Sequence, residues 1–270
     1  VEDLFGEMQG VTYQEHITNL YNAVNELTKN PTSTIARSSL IQNATAFIDR
    51  SEAIYSGLKD YQVTLNTEVN NMVEKINSLG QKIYNLNKGI VKVEAEGVER
   101  ANDLRDSRDL ALDELSKYID IDYYETKDGE VIVSAENVPF ITKNDIAKMS
   151  VREEGTYGLL IPQWEGYQQD VYNFDKQANN ANDTDKGKLK GLLIARGVIE
   201  VNYTDIPVMP ERADYDLTTE QGMAEYNSAM DAYQQKQDYY NKYIEPSAIL
   251  SAIAGFDKLV NGIVTAMNDV

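Results

Sequence analysis

Between Pro31 and Pro139 the chain has no proline and carries a regular apolar pattern, which leaves few folds open to it. Apolar residues recur alternately three and four positions apart, a spacing that forms one stripe on a helix and is typical of a coiled coil. One extra step of four, between Leu65 and Val69, reads as a stutter. The pattern predicts a single helix over residues 40–93, roughly 80 Å long at ~1.5 Å per residue. The stripe consists of Leu40, Ala44, Phe47, Ser51, Ile54, Leu58, Tyr61, Leu65, Val69, Met72, Ile76, Leu79, Ile83, Leu86, Ile90 and Val93.

Three further helices are predicted from start signals and stripes. Thr12 and Glu15 form a capping box ahead of an apolar stripe that ends at Asn30-Pro31, and residues 218–221 repeat the box. A third stripe, from Ile249 onward, still has its 4, 3 spacing at the last residue, so we expect a fragment cut within a helix.

A stripe needs a partner, since one helix cannot bury its own apolar face. We expect the last helix to pack against the long one, which predicts a mainly α fold: a long antiparallel helical bundle or coiled-coil rod with an inserted small mixed α+β domain. The rod is predicted to take residues 1–118 and 246–270, and the insertion residues 119–245. The insertion should begin with a β-hairpin that turns at Lys127-Asp128-Gly129, and residues 198–203 are a further strand candidate.

Composition excludes several function classes. The chain has 44 acidic and 25 basic residues, a net charge of −19, which argues against nucleic acid and anionic membranes as partners. Without cysteine and with one histidine, His16, it lacks thiolate metal sites and two-histidine zinc motifs. No apolar run is expected to reach the ~18 residues of a membrane span, and the first residues show no cleavable signal. We expect no catalytic site, no metal and no cofactor.

Two weaker patterns have plainer explanations. Asn182, Asp183 and Asp185 suggest calcium, but the glycine and final glutamate of a helix-loop-helix site are missing, so a polar loop is favoured. Trp164-Glu165 with Glu153 and Glu154 could be a sugar-cleaving carboxylate pair, yet a strand end with a half-buried tryptophan is far commoner.

Residues 101–109 form the densest charged segment, Ala-Asn-Asp-Leu-Arg-Asp-Ser-Arg-Asp. Asn102 suits a helix N-cap, and acidic residues in the first turns complement the helix dipole. Arg105 and Asp109 are spaced for a surface pair, but such pairs contribute only ~0.3–0.5 kcal/mol each. We therefore expect this segment to contact another part of its own chain or a neighbouring subunit, and both remain open.

Four further patterns occur in a fixed order along the chain: residues 26–33 with Arg37, residues 76–87, residues 101–109 with Glu114-Leu115-Ser116, and residues 187–193, read as a helix that begins with a glycine. In this order they resemble the family of the bacterial flagellar hook-associated protein 1. The segment at 101–109 is the most specific of them. The residues that the resemblance marks for packing are Asn30, Pro31, Arg37, Asn77, Leu86, Asn87, Asn102, Asp103, Leu104, Arg105, Asp106, Arg108 and Asp109.

The resemblance implies a structural subunit at the junction of hook and filament, which lies outside the cell and is exported by the flagellar type III apparatus. The implied partners are copies of the same chain, the hook protein, the second hook-associated junction protein and an export chaperone. Alternatives are an adhesive module on a helical stalk, a flagellin or second junction protein of the same superfamily, and, least favoured, an enzyme.

Overall fold

The computed structural model describes residues 12–95, 100–174 and 187–268. Short 3₁₀ turns lie at Tyr203–Asp205 and Arg212–Asp214, and a π-helical turn lies at Tyr240–Ile244. The helices are α1 (Tyr13–Lys29), α2 (Thr34–Glu94), α3 (Asn102–Leu115), α4 (Lys188–Arg196), α5 (Glu220–Tyr239) and α6 (Ala248–Asn268). The strands are β1 (Ile121–Glu125), β2 (Val131–Ala135), β3 (Val138–Ile141), β4 (Met149–Glu154), β5 (Leu159–Trp164) and β6 (Gln169–Asp170).

The mainly α fold with small inserted antiparallel sheets is confirmed, and so is the uninterrupted long helix over residues 40–93, all of which lie in α2. The predicted capping box of α1 is present: the Thr12 hydroxyl accepts the N–H of Glu15, and the Glu15 carboxylate accepts the N–H of Thr12. Helix α1 ends at Lys29, before the predicted Asn30-Pro31 stop.

The chain divides into two compact units. Unit 1 takes its described residues from the chain before residue 64 and after residue 198, and unit 2 spans residues 64–198. The predicted rod and insertion are divided at different positions from these units, namely at 118/119 and 245/246. That division stays a prediction.

Unit 1 has a core in which α6 packs against the first part of α2, as the sequence predicted, and also against α1, which was not predicted. The ring of Tyr13 stacks on Phe47 at 5.7 Å and meets Phe256 at 5.4 Å. The buried members from these helices are Tyr13, Leu20, Phe47, Ile54, Leu58, Ile249, Leu250, Ile253, Ala254 and Phe256. Three helices thus bury their apolar stripes against one another, which none could do alone.

The expectation that no segment reaches the length and hydropathy of a membrane span is wrong for α6. An 18-residue window of this helix has a mean hydropathy of 1.4. The helix meets the criterion for a membrane span by its length and composition only. Its face with Ile249, Ile253 and Phe256 is buried in the unit 1 core. The apolar stripe of a core helix gives the same signal as a membrane helix.

Unit 2 has two three-stranded antiparallel sheets, in the orders β1-β2-β3 and β4-β5-β6. The predicted hairpin is confirmed by β1 and β2, which pair from Ile121↔Ala135 to Glu125↔Val131. In β2 the alternate residues Val131, Val133 and Ala135 are buried, which is the period expected of a strand with one face on the core. That core also contains α2 from Val69 to Ile83, α3, and Leu189 and Leu193 of α4.

Two local expectations are wrong, each because a side chain bonds the backbone nearby. Residues 198–203 form no strand: Asn202 accepts the N–H of Thr204 at 2.8 Å, and Asp205 accepts that of Asn202 at 2.8 Å, which starts a 3₁₀ turn. The capping box expected at 218–221 is also wrong. Helix α5 is capped one residue later, by Thr219, whose hydroxyl accepts the N–H of Gly222, and a glycine at that position has no side chain to return the bond.

Candidate functional site

The segment 101–109 begins helix α3 in unit 2, where it lies against the end of α2 and the β1–β2 hairpin. The carboxylate of Glu94, the last residue of α2, accepts the N–H of Ala101 at 3.0 Å. Ala101 is the N-cap, and Asn102 is the first helical residue with an exposed side chain, so the predicted Asn102 cap is wrong. An acceptor from the preceding helix takes the place that sequence reasoning gave to a local side chain.

Arg105 joins the two helices and the hairpin. Its guanidinium makes a bidentate pair with Glu94, Nε to Oε1 at 2.9 Å and Nη2 to Oε2 at 2.7 Å, and also binds Glu125. The predicted pair with Asp109 is therefore wrong. Hydrogen bonds from Arg105 and from the N–H of Ala101 lower the pKa of Glu94 to about 2, and the two carboxylates raise the pKa of Arg105.

Arg108 is the buried member of the segment, with 2% of its surface exposed. Its Nη1 donates to the carbonyl of Gly129 at 2.7 Å and to Oδ1 of Asn87 at 3.4 Å. Its Nη2 donates to Glu125 at 3.3 Å, and its Nε lies 3.7 Å from the Asp109 carboxylate. One guanidinium thus ties α3 to α2 and to both sides of the hairpin turn.

Gly129 at that turn meets a steric requirement. Its φ is +83°, in the left-handed region, and a Cβ there would lie 2.8 Å from Nη2 of Arg105. A residue with a side chain would strain the backbone and displace the guanidinium from Glu94.

Asn77 and Asn87 of α2 bind strand backbones in the same way. The amide of Asn87 donates to the Val131 carbonyl at 2.7 Å and accepts the N–H of Val131 at 3.0 Å. The amide of Asn77 does the same with Met149, at 2.8 and 2.9 Å. Each side chain therefore satisfies one backbone donor and one acceptor of a strand, as a neighbouring strand would.

A third asparagine of this kind, Asn66, was missed by the sequence analysis. It donates to the carbonyl of Gly158 at 3.0 Å and accepts the N–H of Leu160 at 2.8 Å. Nη1 of the buried Arg196 donates to the same Oδ1 at 2.6 Å, and burial lowers the pKa of Arg196 to about 10. The spacing was a usable signal: 77 − 66 = 11 and 87 − 77 = 10 residues, about three helical turns, which keeps the side chains on related faces.

Three predicted residues form their own local contact in unit 1. The backbone N–H of Asn30 bonds the carbonyl of Glu26, and its amide donates to the Glu26 carboxylate at 3.0 Å. The Pro31 carbonyl accepts two bonds from Arg37, at 3.1 and 2.8 Å. This contact closes the turn between α1 and α2.

The remaining predicted residues divide by exposure. Leu86 and Leu104 are half-buried, and Leu104 approaches Gly89, where an added Cβ would lie 3.2 Å from Cδ1 of the leucine. The exposed residues of the α3 segment are Asn102, Asp103, Asp106 and Asp109. The arginines of the segment thus contact their own chain, whereas its acidic side chains face outward.

The alternative sites receive no support from the described residues. Trp164 ends β5 as expected, but it is 1% exposed and packs on Phe140 at 5.7 Å, so it is fully buried and offers no aromatic platform. Within residues 12–95, 100–174 and 187–268, no group of three or more His, Asp or Glu side chains could hold a metal. The proposed loop at Asn182, Asp183 and Asp185 lies outside the described residues.

Comparison with known proteins decides the family. Residues 1–231 match the family described as "Flagellar hook-associated protein FlgK helical domain". The chain belongs to this family. It is 27% identical over 220 residues to the flagellar hook-associated protein 1 of Bacillus subtilis (strain 168), which covers 78% of the chain and 43% of that relative.

A solved structure shows the same fold as this member of the FlgK family. The flagellar hook junction protein FlgK from Burkholderia pseudomallei matches with a TM-score of 0.58 and 19% identity, over 71% of this chain and 34% of that one. The chain thus spans less than half the length of either relative.

Proposed function

We propose that this chain is the helical domain of a structural subunit that joins the flagellar hook to the filament. The observation that carries the proposal is the family match over residues 1–231, which includes the whole of the α2–α3–hairpin site. The relatives are named as hook-associated and hook junction proteins. A role without catalysis follows, in which the domain acts by its stiffness and by the surfaces it offers to neighbours.

The geometry of the site suits such a role. Ion pairs of Glu94 and Glu125 with Arg105, and of Glu125 with Arg108, link three consecutive elements: α2, α3 and the first strand of the hairpin. A buried guanidinium that also binds a backbone carbonyl has one allowed position, so the elements it joins cannot slide past one another. A subunit that carries load between the hook and the filament requires that property.

The same proposal includes finer points. The subunit lies outside the cell in the flagellum, is secreted without a cleavable signal and is not an enzyme. Its partners are copies of itself, the hook protein, the second hook-associated junction protein and an export chaperone, and neither nucleic acid nor a membrane. Residues 1–118 and 246–270 act as a helical rod, and residues 119–245 as a domain inserted into it.

Complementation tests the function. The full-length protein is expressed in a bacterium that lacks its own hook-associated protein 1, and attached filaments are counted by electron microscopy. We expect filaments to be restored, and to be lost again with Arg108→Ala. Hooks that stay bare although the protein is exported into the medium would refute the proposed junction role.

A further inference from the structure

A groove on unit 1 lies between the segment 203–208, helix α5 and helix α6, and has a volume of about 660 Å³. Small residues form its floor on both helices: Ala229 and Ala232 on α5, and Gly262 on α6. Val208 at its edge is 70% exposed. Small residues in a helical groove let the side chains of a second helix approach closely.

Two lysines, Lys236 of α5 and Lys258 of α6, are the charged residues that line this groove. Both are exposed, and in the part of the chain that the structure describes neither forms a salt bridge within 4.0 Å. The acidic neighbours Asp205 and Asp257 each accept a backbone N–H, from Asn202 and Tyr203. Both aspartates keep their negative charge, but neither lines the groove, whose own lining combines an apolar floor with two lysines in a chain of net charge −19.

Other grooves of the chain have a different character. One in unit 1 is lined by Glu52 and Asp257, and one in unit 2 by Arg152, Glu154 and Asp170, whose charges already pair with one another. The groove with lysines is the one of these that favours an acidic occupant.

The outer face of helix α3 has the complementary chemistry. Leu110 is 66% exposed, although it is a large apolar residue. Asp103, Asp106, Leu110 and Asp113 follow one another on one stripe at spacings of 3, 4 and 3, and Asp109 flanks it. These four aspartates are exposed, so Leu110 stands among negative charges, and the exposed Lys117 lies at the next step of the stripe, beyond Asp113.

We propose that the groove of one copy receives the Leu110 face of α3 from a second copy. Leu110 would enter the space above Ala232, and Lys236 and Lys258 would pair with carboxylates of the α3 stripe. This inference rests on the proposed self-assembly and identifies the surfaces that perform it. The two surfaces differ, so each copy keeps one of each available, and such a heterologous contact builds a ring or a helical array.

Cysteine cross-linking tests the contact directly, because the chain contains no cysteine of its own. A Leu110→Cys chain is mixed with an Ala232→Cys chain that carries a larger tag, so that the mixed dimer separates on a non-reducing gel. The control replaces the second chain with Ile35→Cys, since Ile35 is also in unit 1 and is 82% exposed.

We expect the Leu110–Ala232 pair to give about tenfold more mixed dimer than the control, because docking raises the local thiol concentration. At about 0.5 M salt the Debye length falls to about 4 Å, and the excess should shrink. A yield equal to that of the Ile35 control would overturn the proposal.

Exchanging the charges of the two surfaces is a second test, and it alters exposed side chains outside the folded cores. Asp106→Lys with Asp113→Lys in the first chain, or Lys236→Glu with Lys258→Glu in the second, should each remove the excess cross-link. Combining the two exchanged chains should restore it. If the excess of mixed dimer were not restored although both chains melted at their usual temperature, the pairing of the lysines with the α3 carboxylates would be refuted.

Failure of this inference is distinguishable from failure of the junction role. If the full-length protein restores filaments and still does so after Lys236→Glu and Lys258→Glu, the junction role stands and the docking contact is refuted. If the unmodified protein restores none, the junction role falls, and the cross-linking yield alone decides the contact.

Discussion

Asn87→Leu should destabilise unit 2 strongly although it replaces a polar residue by an apolar one of similar size. Asn87 is 2% exposed, and its amide satisfies both the N–H and the carbonyl of Val131. Leucine can do neither, and each buried backbone group left without a partner costs about 1–3 kcal/mol, so the pair costs about 2–6 kcal/mol.

Urea unfolding followed by tryptophan fluorescence is a suitable assay. Trp164 is the sole tryptophan of the chain, and it lies in the unit 2 core that contains Val131. With a slope of about 2 kcal/mol per molar urea, the expected loss lowers the midpoint by about 1–3 M. The exchange rate of the Val131 amide proton should rise as well, since its acceptor is gone.

Asn85→Leu is the matched control, because Asn85 lies on the same helix with an exposed side chain. It should change the free energy of unfolding by about 0.5 kcal/mol or less. If Asn87→Leu were no more destabilising than Asn85→Leu, the idea that asparagine amides fasten the strands to α2 would be refuted.

Three other predictions test separate parts of the structure. Gly129→Ala should cost about 1–3 kcal/mol in urea unfolding because of its positive φ, whereas Gly166→Ala, with nothing within 4 Å of its Cβ, should be nearly neutral; equal effects would contradict this. Glu94 has its folded pKa lowered from 4.5 to about 2, so its stabilisation is complete above pH 4.5 and is lost as the pH falls through 2. In Glu94→Gln the urea midpoint should depend less on pH over that range. If its pH dependence equalled that of the unmodified chain, the ion pair of Glu94 with Arg105 would be refuted. Ile83→Ala should cost about 2–5 kcal/mol, and Leu86→Ala less, since Ile83 is 0% exposed and Leu86 is half-buried; thermal melting that ranks them in the opposite order would disprove the assignment of faces.

Helix α2 shows how far periodicity reaches. Its 3, 4 spacing predicted the helix, because local geometry alone decides which residues share a stripe. Burial along the stripe, in contrast, depends on which other elements pack against each part of the helix. Tyr61 is 45% and Val93 40% exposed, whereas Gln62, off the stripe, is buried.

The long helices, the β1–β2 hairpin and the position of the charged segment at 101–109 could be predicted, because capping, turn and stripe signals act within a few residues. Folding was needed to reveal the partners of Arg105 and Arg108 and the strands held by Asn66, Asn77 and Asn87. Those contacts join residues 11 to 94 positions apart, for example Asn66 and Leu160. Arginine and asparagine side chains can bond any carbonyl or carboxylate that comes near, so the residue type alone does not identify the partner.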